Sequence, residues 1–152
     1  MTLAIGQPAP DFTLRNQDFQ KVTLSDFDGR KRLIVFIPLA FTSTCEGELC
    51  TIRDNLHALA ERDTQLFVIT CDNIAVNKSW AEAQRFDFPI LSDFWPHGAV
   101  TQAYDCFDER IGVPIRATYT VDEHGTITEV FSTETLDIAR NFDDYVGALD
   151  RI

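Results

Sequence analysis

The chain has 152 residues, 45% of them hydrophobic and 24% charged, which fits a single domain over residues 1–152 with a core of its own. Thirteen Lys and Arg against 24 Asp and Glu give a net charge of −11, which argues against a nucleic acid partner. The longest apolar run, 33–41, is too short to span a bilayer, and residues 1–12 show no signal peptide. These features predict a cytoplasmic protein with no membrane partner.

Residue periodicity predicts alternating strands and helices. In the first two thirds of the chain the predicted elements are a hairpin of strands 12–15 and 21–24, a buried strand 32–37, a helix from the polar loop 42–44 to about 62, a buried strand 66–70, a helix 75–85 and a short strand 88–91. The remaining predictions are a helix near 98–104, a strand pair 118–122 and 126–131, and a last helix 138–149 capped by Asp137. This order predicts an α/β fold with a central mixed sheet flanked by helices.

The four cysteines, Cys45, Cys50, Cys71 and Cys106, are too few for a disulfide framework at this length. Cys45 falls where a buried strand ends and a helix begins, so its sulfur is expected near the unpaired N–H groups of the first helical turn. Such a position stabilises a thiolate, which is the form that attacks electrophiles. From position alone, an inert cysteine beside a helix cap is an equally good interpretation.

Two further residues, Pro38 and Thr42, lie upstream of Cys45 and complete a recognisable pattern. The hydroxyl of Thr42 is placed to bond the sulfur or an incoming oxygen, and Pro38 closes one side of a pocket without an N–H group of its own. The spacing Pro38-x-x-x-Thr42-x-x-Cys45 resembles the PxxxTxxC signature of the peroxiredoxins, which are thiol peroxidases with a thioredoxin-like fold. The segments GQPAPDFTL, VTLSDFDGR, PILSD and RATYTVDEHGTI extend the resemblance along nearly the whole chain, and LSDFWPHGAV resembles the one-cysteine alkyl hydroperoxide reductase E subgroup.

The resemblance implies that Cys45 is the peroxidatic cysteine and that Thr42, Arg116 and the Cys45 backbone N–H arrange the peroxide. A guanidinium beside the sulfur stabilises the thiolate and can donate to both peroxide oxygens. Fixed donors also stabilise the negative charge that builds on the departing oxygen. Glu48, one helical turn after Cys45, is a candidate for orienting Arg116, although the helix dipole alone also explains an acid there.

Cys50 departs from the one-cysteine subgroup, because Cys45-x4-Cys50 resembles the Q-type, or bacterioferritin comigratory, peroxiredoxins. In those proteins the second cysteine of the same helix condenses with the sulfenic acid to form a disulfide. In an intact helix residues five apart have Cα atoms about 8–9 Å apart, beyond the about 7 Å that a disulfide tolerates, so the first turns must unwind. We expect Cys50 to resolve the sulfenic acid, and Cys71 is the second candidate for that role. Cys106, and Cys71 if it does not resolve, are expected to be buried packing residues.

The expected activity is reduction of hydrogen peroxide and organic hydroperoxides without metal, haem, flavin or other cofactor. The expected reductant is thioredoxin, a glutaredoxin-like protein or a low-molecular-weight thiol, and a homodimer is expected from the family. If Cys50 does not react with the sulfenic acid, the protein is a one-cysteine peroxidase that depends on an external thiol.

Two alternatives belong to other functional classes. The first is a redox sensor that is oxidised at Cys45 but signals through a partner; Pro38, Thr42 and Arg116 favour the enzyme, because a slow sensor needs no peroxide-activating donors. The second is a zinc site built from the Cys-x4-Cys pair and His57, for which the spacing is loose.

Overall fold

The computed structural model describes residues 2–133 and 135–152, which form nine strands and five α-helices. The strands are β1 (Thr13–Arg15), β2 (Lys21–Thr23), β3 (Lys31–Phe36), β4 (Thr64–Thr70), β5 (Ile90–Ser92), β6 (Phe107–Asp108), β7 (Val113–Pro114), β8 (Ala117–Val121) and β9 (Ile127–Ser132). The helices are α1 (Ser43–Asp54), α2 (Leu56–Ala60), α3 (Ile74–Gln84), α4 (Ala99–Ala103) and α5 (Phe142–Asp150), with one 3-10 helix at Leu24–Phe27. None of the helices in this described part is long and apolar enough to cross a bilayer.

Seven strands form one mixed sheet in the order β2-β1-β5-β4-β3-β8-β9, and β6 pairs only with β7. β4 runs parallel to β3 and β5, while β8 runs antiparallel to β3. Successive side chains of β3 point to opposite faces, so Leu33 and Val35 pack with the helical cluster of α1, α3 and α5, and Ile34 and Phe36 pack with the opposite cluster. This two-sided core confirms the predicted α/β fold with a mixed central sheet, and it explains why β3 is apolar throughout.

The helix predicted to reach about residue 62 is in fact two helices. α1 ends at Asp54 and α2 begins at Leu56, with Asn55 between them at φ −128° and ψ 22°. The Asn55 side-chain amide donates to the Thr51 carbonyl at 2.8 Å. A short polar side chain that bonds nearby backbone in this way competes with helix continuation, so the prediction of one helix was wrong at this residue.

The last helix begins at Phe142 rather than at 138, and its cap is Asn141 rather than Asp137. The Asn141 side chain accepts a hydrogen bond from the Asp143 N–H at 3.0 Å, as N-caps do. The Asp137 carboxylate instead accepts from the Thr135 hydroxyl at 2.6 Å, within a turn that borders the pocket described below. The β6–β7 hairpin was not predicted either, because two-residue strands are too short to show a period.

Candidate active site

Cys45 lies in the first turn of α1, just beyond the carboxyl end of β3, and is only 1% exposed. Thr42 is the N-cap of α1, and its carbonyl accepts from the Glu46 N–H at 2.8 Å. The sulfur therefore belongs to the amino end of a twelve-residue helix, where unpaired N–H groups and the helix dipole favour a negative charge.

Arg116, which directly precedes β8, brings a positive charge to the sulfur. Its Nη2 donates to Cys45 Sγ at 3.2 Å, its Nη1 donates to Glu48 at 2.6 Å, and its Nε donates to the Leu136 carbonyl at 2.6 Å. Because all three guanidinium nitrogens have partners, the plane of the group is fixed relative to the sulfur. A fixed cation at hydrogen-bond distance stabilises the thiolate relative to the thiol.

Glu48 holds this guanidinium together with a second one. It is nearly buried and accepts three N–H groups of Arg140, from the backbone at 2.7 Å, from Nε at 2.8 Å and from Nη2 at 2.8 Å. Burial by itself raises the pKa of Glu48, but the hydrogen bonds and charge of Arg140 and the charge of Arg116 outweigh it and hold the pKa below its usual value. Two cations against one carboxylate leave one positive charge, which a Cys45 thiolate neutralises.

Arg140 is not among the residues that the sequence pattern predicts for this site. Its side chain is buried, and its Nη1 donates to the Thr118 hydroxyl at 3.0 Å, which in turn donates to the Tyr145 hydroxyl at 2.9 Å. Arg140 is 92 residues from Glu48, in an irregular segment before α5, and it belongs to no motif. Nothing in the sequence pattern distinguishes it from a surface arginine.

Thr42 and Pro38 both border the pocket above the sulfur. The Thr42 hydroxyl donates to the Leu39 carbonyl at 2.7 Å, so its proton is already engaged. The Thr42 oxygen can therefore accept a further hydrogen bond but has no free proton to donate. The structure thus brings Cys45, Arg116 and Thr42 together at one pocket.

The pocket has a volume of about 350 Å³, with Cys45 and Arg116 among its lining residues. Four apolar residues from three separate segments form much of its wall: Leu39, Ile111, Val113 and Leu136. A larger groove of about 570 Å³ lies beside β1 and β5, but its lining residues include no cysteine, histidine or carboxylate. Of these two cavities, only the smaller one is lined by a cysteine thiol.

Cys50 is half-buried, and its Sγ lies 3.8 Å from Gln84 Oε1 at the end of α3. α1 continues without interruption through both Cys45 and Cys50, and both are free thiols. Two residues five apart in a continuous helix are about 8–9 Å apart at Cα. A disulfide between them therefore requires the first turns of α1 to unwind.

Cys71 and Cys106 are buried against Thr101, away from the pocket. Cys71 Sγ is 3.6 Å from the Thr101 hydroxyl, and burial raises its pKa to about 12. Cys106 donates to the Thr101 carbonyl at 3.5 Å, and burial raises its pKa even further. These surroundings fit the packing role expected of both.

The zinc alternative finds no support in the described ranges 2–133 and 135–152. No three His, Cys, Asp or Glu side chains in these ranges come together as metal ligands, and so His57 joins no such group. A structural zinc site needs four ligands in tetrahedral geometry.

Comparisons with known proteins identify related sequences and folds. The model of the AhpC/TSA family matches residues 5–130. Alkyl hydroperoxide reductase E of Mycobacterium tuberculosis is 48% identical over 126 residues, which cover 82% of each chain. Among solved structures, the peroxidoxin BcpB of M. tuberculosis has a TM-score of 0.87 at 27% identity and covers 99% of this chain and 98% of its own. AhpC of Enterococcus faecalis has a TM-score of 0.89 at 26% identity, with 99% of this chain and 92% of its own covered.

Proposed function

The chain belongs to the AhpC/TSA family of peroxiredoxins, which are thiol-dependent peroxidases, and from that premise we propose that Cys45 is its peroxidatic nucleophile. The observation that carries the proposal is the 3.2 Å hydrogen bond from Arg116 to the Cys45 sulfur at the amino end of a helix. The substrates are hydrogen peroxide and organic hydroperoxides.

In the proposed reaction the Cys45 thiolate attacks the terminal oxygen of the hydroperoxide. The S–O bond forms as the O–O bond breaks, leaving a sulfenic acid on Cys45 and an alkoxide or hydroxide that takes a proton and leaves as alcohol or water. Arg116 stabilises the charge that builds on the departing oxygen, and Thr42 accepts the hydrogen bond of the incoming O–H. Glu48 and Arg140 are positioning residues, because they act on the sulfur through Arg116.

Organic hydroperoxides are included because the pocket wall is largely apolar. Leu39, Ile111, Val113 and Leu136 offer an alkyl group a surface that hydrogen peroxide does not use. Each buried CH₂ contributes about 0.8 kcal/mol. An alkyl hydroperoxide therefore gains binding energy that the smaller substrate lacks.

The test of Cys45 is a set of single substitutions assayed for peroxide consumption with a thiol reductant. We expect Cys45→Ser to lose activity completely, and Cys71→Ser and Cys106→Ser to keep it within about twofold, since their thiols are held protonated by burial. Activity that survived in a folded Cys45→Ser protein would overturn the proposal.

We further propose that Cys50 resolves the sulfenic acid. The Cys50 thiol displaces the oxygen as water, an S–S bond forms to Cys45, and a dithiol such as thioredoxin or a glutaredoxin-like protein reduces the disulfide. The position of Cys50 in the same helix supports this, because only α1 has to rearrange.

The contacts that must break for this rearrangement can be named. Trp80 Nε1 donates to the Glu46 carboxylate at 3.1 Å, and Cys50 itself lies against Gln84. Both contacts tie α1 to α3 and are lost when the first turns unwind, whereas Arg53 in the last turn of α1 still donates to the Gln84 carbonyl at 2.7 Å. The reduced state holds the helix intact, and oxidation of Cys45 must favour the unwound form.

The one-cysteine route is the second candidate, and it too has a specific observation in its favour. In the intact helix Cys50 lies against α3 while Cys45 lines the pocket. A low-molecular-weight thiol that enters the pocket can reach the Cys45 sulfenic acid with no unwinding. The product is then a mixed disulfide on Cys45.

Mass spectrometry separates the two routes. Fully reduced protein is treated with one equivalent of hydrogen peroxide in the presence of a sulfenic-acid trap, and the cysteine-containing peptides are mapped. A disulfide linking Cys45 to Cys50, absent in Cys50→Ser and retained in Cys71→Ser, is the expected result. A trapped adduct on Cys45 with Cys50 free establishes the one-cysteine route instead. Turnover with a thioredoxin-like reductant excludes the sensor.

The proposal also includes a homodimer in the cytoplasm. Phe41 and Trp95 are large aromatic side chains that are exposed to solvent. Exposed apolar surface of this kind favours association between two copies of the chain. Four free thiols suit a reducing compartment. Light scattering of wild type and Trp95→Ala measures the mass, and a monomer at all concentrations contradicts the dimer.

A further inference from the structure

His97 joins two segments at the outer side of the pocket. Its Nε2 lies 2.7 Å from the Gly112 carbonyl, and its Nδ1 lies 3.2 Å from the Phe94 carbonyl. A carbonyl oxygen can only accept, so the short contact requires a proton on Nε2, which donates to Gly112. The imidazole therefore links segment 94–98 to the turn between β6 and β7.

This turn supplies one wall of the pocket. Gly112 is flanked by Ile111 and Val113, both of which line the cavity that contains Cys45. The Gly112 N–H bonds to the Asp108 carbonyl at 2.8 Å, which is a contact inside the hairpin. In the described part of the chain, the His97 bond is the one hydrogen bond that ties residues 109–112 to anything outside the hairpin.

Packing places the two segments in direct contact beneath this bond. The His97 ring meets the Phe107 ring edge to face, with centroids 6.0 Å apart. At Gly98, where φ is +71°, an added Cβ atom would come within 2.5 Å of the Phe107 ring, so the backbone approaches β6 as closely as glycine allows. The base of the hairpin is fixed by this packing, whereas its tip carries Ile111, which is 54% exposed.

We propose that His97 is a positioning residue for the pocket, which holds Ile111 and Val113 in contact with the alkyl group of an organic hydroperoxide through the Gly112 carbonyl. Hydrogen peroxide has no alkyl group and does not use this wall. His97 therefore sets the preference between the two substrate classes rather than the chemistry at the sulfur. The inference rests on the proposed function of Cys45.

Three substitutions separate the hydrogen bond from the ring. His97→Phe keeps an aromatic ring against Phe107 but removes the donor. In His97→Gln the side-chain amide nitrogen falls near the place of Nε2 and keeps the donor, whereas in His97→Asn it falls near that of Nδ1 and does not reach Gly112. Single-turnover rate constants for oxidation of Cys45 are measured with cumene hydroperoxide and with hydrogen peroxide.

We expect His97→Phe and His97→Asn to lower the ratio of the cumene to the hydrogen peroxide rate constant by about tenfold, the effect of losing one well-placed apolar contact. The hydrogen peroxide constant itself should stay within about twofold, and His97→Gln should restore the ratio. Ile111→Ala, which leaves the bond intact, should lower the ratio by itself, and adding His97→Phe should lower it little further.

An equal fall for both substrates in His97→Phe, an unchanged ratio, or no rescue by His97→Gln would each overturn the inference. The proposed function fails by a different result, namely activity in Cys45→Ser. If His97→Phe does not fold, His97→Asn with His97→Gln as its matched control still decides the question, because only the second of these two keeps the donor to the Gly112 carbonyl.

Discussion

Cys45 and Cys106 are buried to almost the same degree, 1% and 2% exposed, but their surroundings are opposite in charge. Cys45 accepts a hydrogen bond from a guanidinium, whereas Cys106 donates one to the Thr101 carbonyl. Burial alone disfavours a thiolate, and it raises the pKa of Cys106 accordingly. At Cys45 the partner is a fixed cation rather than a carbonyl oxygen, so two equally buried thiols differ in the charge beside the sulfur.

The backbone adds to the contrast. Cys45 lies at the amino end of α1, while Cys106 follows the carboxyl end of α4, and its N–H bonds back to the Thr101 carbonyl. Helix amino ends favour negative charge and carboxyl ends disfavour it. The nearby Asp93 carboxylate raises the pKa of Cys106 further. Local chain position and side-chain charge thus act in the same direction at each cysteine.

The largest expected effect is in alkylation of the folded protein. A thiol with a pKa of about 12, as at Cys71, is ionised in about one molecule in 10⁴ at pH 8. We expect iodoacetamide at pH 8 to label Cys45 at least about 10³ times faster than Cys71 or Cys106. Time-resolved peptide mass spectrometry measures the labelling rate of each cysteine. In urea the rates should converge. Comparable labelling of Cys71 and Cys45 in the folded state would contradict the comparison.

The next largest effect is expected from removing the cation. Arg116→Met keeps much of the side-chain volume but takes away the charge and the donor to the sulfur, so kcat/KM for hydroperoxide should fall by about 10²–10³. Cys45 alkylation should slow in the same variant. Arg151→Met, which breaks only the surface pair with Glu129, is the matched control and should keep full activity. A fall in kcat/KM of less than about threefold in Arg116→Met would contradict the proposed role of Arg116 in catalysis.

A smaller effect is expected from Glu48→Gln, which leaves Arg116 its bonds to the sulfur and to Leu136 but weakens its anchor. We expect kcat/KM to fall by about tenfold through loss of orientation. Stability at pH 7 should fall by about 3 kcal/mol, because two buried guanidinium groups lose their carboxylate. Urea unfolding and steady-state kinetics measure both, with Glu129→Gln as the surface control.

The same variant has a pH signature. The pKa of Glu48 is lower in the folded state, so its stabilising effect is complete above about pH 4.5, the ordinary value, and is lost as the pH falls through the folded pKa. The difference in free energy of unfolding between wild type and Glu48→Gln should therefore be constant from pH 6 to 8 and shrink below pH 4.5. A difference that grew at low pH would show that the carboxylate is not held ionised.

The smallest effect is expected from a substitution beside the buried cysteines Cys71 and Cys106. Thr101→Val removes the hydroxyl that contacts Cys71 and donates to the Asp93 carboxylate at 2.7 Å. Stability should fall by about 1–2 kcal/mol, since a buried acceptor loses a partner. Peroxidase activity should not change. A loss of activity comparable to that of Arg116→Met would show that the two regions are coupled.

The sequence predicts Cys45 as the nucleophile because its neighbours along the chain form a motif. Pro38, Thr42 and Cys45 fall within eight residues, and Arg116 follows from the family resemblance. Arg140 and Leu136 lie in irregular backbone far along the chain. Only the folded structure brings Arg140 to Glu48 and the Leu136 carbonyl to Arg116. Long-range contacts made by irregular segments have no periodicity, so no pattern predicts them.

The start of the last helix shows a different limit. Asp137 and Asn141 are both good N-caps, and the residue after each is apolar. Phe142 is buried in the core, whereas Ile138 is 54% exposed. The helix begins where its first apolar residue can be buried, and that choice depends on the sheet it packs against. Residue preferences alone leave the two starts equivalent.

The two tryptophans differ in their surroundings, so tryptophan fluorescence can report on the state of α1. Trp80 is fully buried and bonded to Glu46 in the first turn of α1, whereas Trp95 is 83% exposed and makes no contact with that helix among the described hydrogen bonds. Any event that unwinds this turn frees the Trp80 indole N–H and changes its emission. A Trp95→Phe protein therefore carries a single tryptophan, and the emission of Trp80 reports on the first turn of α1 without a label.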